Sequence, residues 1–153
     1  MENKIIVENI KKFYPANKKL FNKSYIQAVD DVSFSIEGGE ILGLIGESGC
    51  GKSTLGRVLA RLEKPTEGKI SIGGKSVEEI LKDDEKSFRK YVQMIFQNPY
   101  DSFTPRDKIG NILMRPLKIH NIGSSEKERF DICLKALEQG GLRPAKEIMD
   151  RYC

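Results

Sequence analysis

Apolar residues fall into short alternating groups in the first third of the chain. Ile5, Val7 and Ile10 predict a first strand, because alternation of apolar and polar positions is typical of a half-buried strand. Residues 26–36 predict one or two further strands, followed by a turn at residues 38–39. The apolar run at residues 40–45 predicts a strand that is buried on both faces.

The middle of the chain alternates between helical and strand patterns. Leu55, Val58, Leu59 and Leu62 recur at helical spacing, and Pro65 is expected to end that helix. Residues 68–74 predict a short strand that ends in a turn. Residues 77–90 predict a charged helix with a break near residues 83–84, and residues 91–96 predict a second central strand.

Helical patterns dominate after Phe103, over residues 109–120, 125–142 and 144–152. Ser125 and Glu128 have the spacing of a capping box at the start of the second of these helices. We therefore predict two domains, a strand-rich core at residues 1–103 and a small helical region at residues 104–153.

A glycine-rich segment connects the predicted strand at residues 40–45 to the helix that follows it. Its residues fit the pattern of a phosphate-binding loop, in which glycines let backbone N–H groups point at phosphate oxygens. Lys52 can reach the β- and γ-phosphates, and the Ser53 hydroxyl can bind Mg²⁺. The predicted nucleotide-binding residues of this loop are Gly46, Glu47, Ser48, Gly49, Cys50, Gly51, Lys52, Ser53 and Thr54.

Composition and charge narrow the range of possible partners, cellular locations and cysteine-based sites. The chain has 153 residues, 39% of them hydrophobic, and a formal net charge of +4. A lysine cluster near the N-terminus lacks the aromatic residues of a nucleic-acid surface, so we expect no nucleic-acid partner. No run approaches the roughly 20 apolar residues of a membrane span, and the N-terminus lacks the apolar core of a signal peptide, so the predicted location is the cytoplasm. The three cysteines are too widely separated to suggest a metal site or a disulfide framework.

Further motifs make the sequence resemble the ATP-binding subunit of an ABC transporter. An aromatic residue follows the first strand, residues 28–34 read Ala-Val-Asp-Asp-Val-Ser-Phe, and the apolar run at residues 94–96 ends in Gln97. Residues 96–106 are similar to the form found in dipeptide and oligopeptide importers. The resemblance implies an α/β fold with an incomplete P-loop NTPase core, an N-terminal antiparallel β part and a C-terminal helical region.

The resemblance also implies roles for individual residues. Tyr14 matches the aromatic residue that stacks on adenine, with Phe13 as the alternative if the register differs by one. Gln97 matches the glutamine that contacts Mg²⁺ and the attacking water, which makes it a predicted catalytic and metal-binding residue alongside Ser53. The implied cofactors are ATP and Mg²⁺. The implied partners are a second ATP-binding subunit and transmembrane permease subunits, which would bind the helical region and the loop at residues 98–106 on the inner face of the cell membrane.

The sequence departs from the family pattern in one respect that matters for catalysis. It contains no Leu-Ser-Gly-Gly-Gln signature, no apolar strand that ends in Asp-Glu and no late histidine that would sense the γ-phosphate. We therefore expect a truncated domain that binds nucleotide weakly and does not hydrolyse it efficiently. Two alternatives remain, a non-catalytic module that binds a nucleotide or a partner, and a small P-loop kinase.

Overall fold

The computed structural model describes residues 4–16, 24–98 and 103–153. Three lysines of the N-terminal cluster and residues 99–102 of the predicted partner loop lie outside the described residues. The chain forms two compact units, Met1–Met94 and Ile95–Cys153. The domain boundary predicted from sequence, between residues 103 and 104, stays a prediction.

The first unit contains a four-stranded antiparallel sheet. Its strands are β1 (Ile5–Pro15), β2 (Tyr25–Ile36), β3 (Glu67–Ile72) and β4 (Lys75–Ser76), in the spatial order β2-β1-β3-β4. All three pairings are antiparallel. Residues 26–36 therefore belong to one strand, and the predicted strand at residues 68–72 is confirmed as β3.

A bulge in β1 explains why its buried residues depart from strict alternation. Val7 and Ile10 are both fully buried, although they are three positions apart. Between them the register with β2 shifts, and Asn9 has a left-handed φ of 49°. The Asn9 side chain donates a hydrogen bond to Asp31, which holds the bulge against the neighbouring strand.

Two helices accompany the sheet, α1 (Lys52–Leu59) and α2 (Val77–Tyr91). The predicted break in α2 is confirmed, because Asp84 has the extended angles φ −159° and ψ 97°. A capping box joins Ser76 and Glu79 at the start of α2. The core of this unit consists of buried residues from the sheet and both helices: Val7, Ile10, Val29, Leu55, Val58, Ile70, Val77 and Phe88.

The structure corrects three sequence predictions in this unit and at its end. Residues 40–45 form no strand, and the predicted strand at residues 91–96 is absent too, because Tyr91 ends α2 and residues 92–96 are irregular. Ile45 and Ile95 are 97% and 93% exposed. A central strand needs hydrogen-bonding neighbours, and within the described ranges neither segment is paired with a strand. Helix α1 ends at Leu59, well before Pro65, because Arg61 adopts a left-handed φ of 54°.

The second unit is helical, as predicted. It contains α3 (Ile109–Ile119), α4 (Glu126–Gln139) and α5 (Ala145–Asp150) around a core of Cys133, Leu137, Ala145 and Met149. Ser125 caps α4 by accepting a hydrogen bond from the backbone N–H of Glu128. The Glu128 carboxylate binds Ser124 rather than Ser125, so only half of the predicted capping box forms there. No helix in the parts of the chain that the structure describes is long and apolar enough to cross a bilayer.

Candidate nucleotide-binding site

The glycine-rich loop leads directly into the N-terminus of α1. Gly51 is the N-cap residue, with a left-handed φ of 94°, and its carbonyl accepts a hydrogen bond of 2.8 Å from Leu55 N–H. A Cβ atom at Gly51 would lie only 2.0 Å from the carbonyl oxygen of Ala28 in β2. The loop thus packs against the β2 backbone so closely that only glycine fits at position 51.

A second glycine of the loop, Gly46, lies close to the Cys50 side chain. A Cβ atom at Gly46 would lie 2.7 Å from the Cys50 sulfur, so a larger residue would displace that side chain. Gly49 and Gly51 have left-handed φ angles of 83° and 94°, whereas Gly46 does not have a positive φ. At Gly46 the close neighbour is therefore a side chain that can move, and no unusual backbone angle is required.

The Lys52 side chain folds back across the loop. Its ammonium donates hydrogen bonds of 2.6 Å to the carbonyl oxygens of Gly46 and Glu47, and it lies 3.4 Å from the Cys50 sulfur. The positive end of the α1 dipole points into the same region. The loop therefore concentrates positive charge where a helix N-terminus can receive an anion.

The hydroxyl groups of the loop lie on the first turn of α1. Ser53 is exposed at the second helical position, and Thr54 is half-buried at the third. A hydroxyl oxygen is a hard ligand of the kind that Mg²⁺ accepts, so the Ser53 side chain fits the metal-binding role predicted for it. Among the residues that the structure describes, no group of three or more His, Cys, Asp or Glu side chains could hold a metal ion. Cys50 is an exposed free thiol.

Tyr14, near the end of β1, is held by charged neighbours. Its hydroxyl donates a hydrogen bond to the Glu63 carboxylate. The Lys12 ammonium lies 5.0 Å from the centre of the Tyr14 ring and 3.4 Å from the Glu63 carboxylate. The hydrogen bond to Glu63 raises the pKa of Tyr14, while an interaction with the Thr54 side chain acts in the opposite direction. The same bond from Tyr14 lowers the pKa of Glu63.

The sequence did not reveal Glu63 and Lys12 as part of this cluster. Glu63 comes after α1 and belongs to no recognised motif, and in the sequence Lys12 is simply one member of a lysine cluster. The signal that could have found Lys12 is its spacing of two residues from Tyr14, since residues i and i+2 of a strand share a face. Phe13, the alternative stacking residue, is also half-buried.

Gln97 belongs to the second unit, and its side chain is exposed. It does not follow a strand, so the local structure expected before it is wrong. Its assignment rests on the motif alone, and its catalytic and metal-binding role stays a prediction.

Comparison with known proteins identifies the family. The model of the ABC transporter family matches residues 29–151. The chain is 47% identical to the dipeptide transport ATP-binding protein DppF of Haemophilus influenzae over 144 residues, which are 94% of this chain and 43% of that protein. It is 42% identical to the di/tripeptide transport ATP-binding protein DppF of Pseudomonas aeruginosa, with 99% of this chain and 46% of that protein covered. The chain thus spans somewhat less than half the length of these two relatives.

A solved structure supports the same conclusion for the fold. The dimeric structure of MJ0796, a bacterial ABC transporter cassette, superposes with a TM-score of 0.74 at 25% identity, covering 97% of this chain and 61% of that one. The family match, the sequence relatives and the fold are all consistent with a phosphate-binding loop at the N-terminus of α1. The chain belongs to the ABC transporter family.

Proposed function

We propose that this chain is the ATP-binding portion of an ABC transporter ATPase subunit that energises the import of dipeptides or oligopeptides. The observation that carries the proposal is the glycine loop at the N-terminus of α1, with the Lys52 ammonium lying across it. Names of relatives at 47% and 42% identity support the peptide substrate, because both are peptide transport proteins.

The proposed binding mode divides the nucleotide between the loop and Tyr14. Residues 46–54 hold the phosphates through backbone N–H groups and Lys52, and the Ser53 hydroxyl contributes to binding of Mg²⁺. Tyr14 stacks on the adenine, since its aromatic face suits any base. When bound, ATP supplies the phosphoryl group and Mg²⁺ neutralises its developing charge. Gln97 is assigned to the metal and the attacking water by its family motif.

The proposal extends to partners and to catalysis. A second ATP-binding subunit and transmembrane permease subunits are the proposed partners, with the helical region and residues 98–106 as the permease-binding part. The complete assembly would lie on the cytoplasmic face of the membrane. Because the 153 residues contain neither the signature nor the acidic strand of the family, we propose slow hydrolysis, well below the roughly one turnover per second at the low end of ordinary enzymes.

Calorimetry of the 153-residue chain with Mg·ATP tests this function. We expect saturable binding, which Lys52→Ala weakens roughly 10- to 100-fold, because a charge-assisted hydrogen bond to a phosphate contributes about 1.5–3 kcal/mol. Lys69→Ala is the matched control, since Lys69 is an exposed lysine on β3 that is remote from the loop in sequence. Equal losses in both variants, or no binding by the unaltered chain, would contradict the proposal. Turnover near one per second would contradict its catalytic part.

A further inference from the structure

The contacts of Glu63 connect the proposed adenine-stacking residue to the phosphate loop. Glu63 follows α1, and its backbone N–H donates a hydrogen bond of 3.3 Å to the carbonyl oxygen of Arg57 within that helix. The Arg57 guanidinium also approaches the Glu63 carboxylate at 3.9 Å. Because α1 begins at Lys52 in the loop, Glu63 has a defined position relative to the phosphate-binding residues.

The carboxylate of Glu63 in turn fixes the Tyr14 ring. It accepts the hydrogen bond from the Tyr14 hydroxyl and pairs with the Lys12 ammonium, which lies near the ring centre. Lys12 is itself anchored, because it donates a hydrogen bond of 2.9 Å to the carbonyl oxygen of Lys64. The Glu63 side chain is only 23% exposed, so water competes weakly for these contacts.

We propose that Glu63 is a positioning residue, which holds Tyr14 at a set distance from the phosphate loop and thereby favours ligands that carry an aromatic base on their phosphates. This inference rests on the proposed function, since it assumes that the loop binds the phosphates of ATP. Its physical basis is preorganisation. A ring that is already held by its hydroxyl and by a neighbouring cation loses little conformational freedom when a base stacks on it.

A comparison of two ligands separates positioning from general stability. ATP carries a base, whereas inorganic tripolyphosphate offers the loop a similar chain of phosphates without one. We expect Glu63→Ala to raise the Kd for Mg·ATP roughly 3- to 10-fold, which corresponds to the ordering of one side chain. The Kd for tripolyphosphate should stay within a factor of two. Both constants are measured by calorimetry on the full 153-residue chain.

Four further variants make the test specific. Glu63→Gln keeps an oxygen that can accept the Tyr14 hydrogen bond, so it should restore most of the ATP affinity. Tyr14→Phe removes the hydroxyl and keeps the ring, so it should reproduce the effect of Glu63→Ala, and the double variant should lose no more than either single one. Glu67→Ala is the matched control, because Glu67 also pairs with a lysine, Lys11 at 3.0 Å, but is exposed. It should leave both constants unchanged.

The possible outcomes are distinguishable. If Glu63→Ala weakens ATP and tripolyphosphate equally, Glu63 only stabilises the loop and the positioning role is wrong. If it weakens neither, Tyr14 does not depend on Glu63 and the inference is also wrong. If the unaltered chain binds tripolyphosphate but not ATP, the base is not recognised and the positioning role fails while the phosphate loop stands. If it binds neither ligand, the proposed function fails and the positioning role fails with it.

Discussion

Strand β1 and residues 41–45 are both rich in branched apolar side chains, yet their environments are opposite. β1 is paired on both sides, with β2 and β3, and its Val7 and Ile10 are at most 1% exposed. Ile41 and Ile45 are 96% and 97% exposed, and their segment is not paired with any strand that the structure describes. The difference shows that an apolar run becomes a strand only where neighbouring strands accept its backbone hydrogen bonds.

The phosphate loop follows the exposed segment at one end and enters helix α1, whose Leu55 and Val58 are buried, at the other. The positions of its last residues are therefore fixed by the packing of Leu55 and Val58 and by the contact of Gly51 with Ala28. Support for the loop comes from the helix and from β2 rather than from the segment that precedes it.

The largest expected effect is on stability, and it separates the buried core from the exposed segment. Phe88→Ala removes a side chain that is 1% exposed and packs in the core of the first unit, so it should lower the free energy of unfolding by about 3–5 kcal/mol. Ile45→Ala, at a 97% exposed site, should change it by no more than about 0.5 kcal/mol. Urea denaturation followed by circular dichroism measures both. A loss of more than about 2 kcal/mol for Ile45→Ala would show that residues 41–45 are packed in solution.

A smaller effect on stability separates two reasons for a glycine, its backbone conformation and close packing. The two positions compared are Gly39, before the loop, and Gly51, within it. Gly51→Ala places a Cβ against the Ala28 carbonyl, and the alanine must also adopt a left-handed φ. We therefore expect the substitution to lower the free energy of unfolding by about 2–3 kcal/mol and to abolish ATP binding. Gly39→Ala is the matched control, because Gly39 has a similar φ of 82° but no atom within 4 Å of the added Cβ. Gly39→Ala should lower the free energy of unfolding by about 1 kcal/mol at most and should retain ATP binding. Equal effects in the two variants would mean that the contact with Ala28 does not hold the loop.

Local patterns predicted the parts of the fold that local chemistry controls. The strand at residues 68–72 and the break at Asp84 both follow from the residues at those positions. The predictions that failed depend on contacts between residues distant in sequence. The segments at residues 40–45 and 91–96 have strand composition, but whether they pair depends on partners that no local window contains. The early end of α1 at Leu59 depends on Arg61, which no helix-stop rule marks.

The candidate site likewise contains one part that is local in sequence and one part that depends on long-range contacts. The phosphate loop is contiguous in sequence, so its motif names every member. The cluster around Tyr14 brings together β1 and the chain after α1, and Glu63 is 49 positions from Tyr14. A single sequence gives no sign of such a contact, because a glutamate after a helix is ordinarily a solvated residue.

The most direct test of the central claim places a fluorescent reporter at the proposed adenine position. The chain contains no tryptophan, so Tyr14→Trp and its matched control Phe13→Trp would each carry a single indole. Neighbouring residues of a strand face opposite sides, so only one of the two rings can stack on a base held by the loop. The account predicts that Mg·ATP quenches the indole at position 14 saturably, that tripolyphosphate reverses the quenching, and that the indole at position 13 does not respond. Quenching at position 13 alone, or none at position 14 under conditions where calorimetry shows ATP bound, would contradict it.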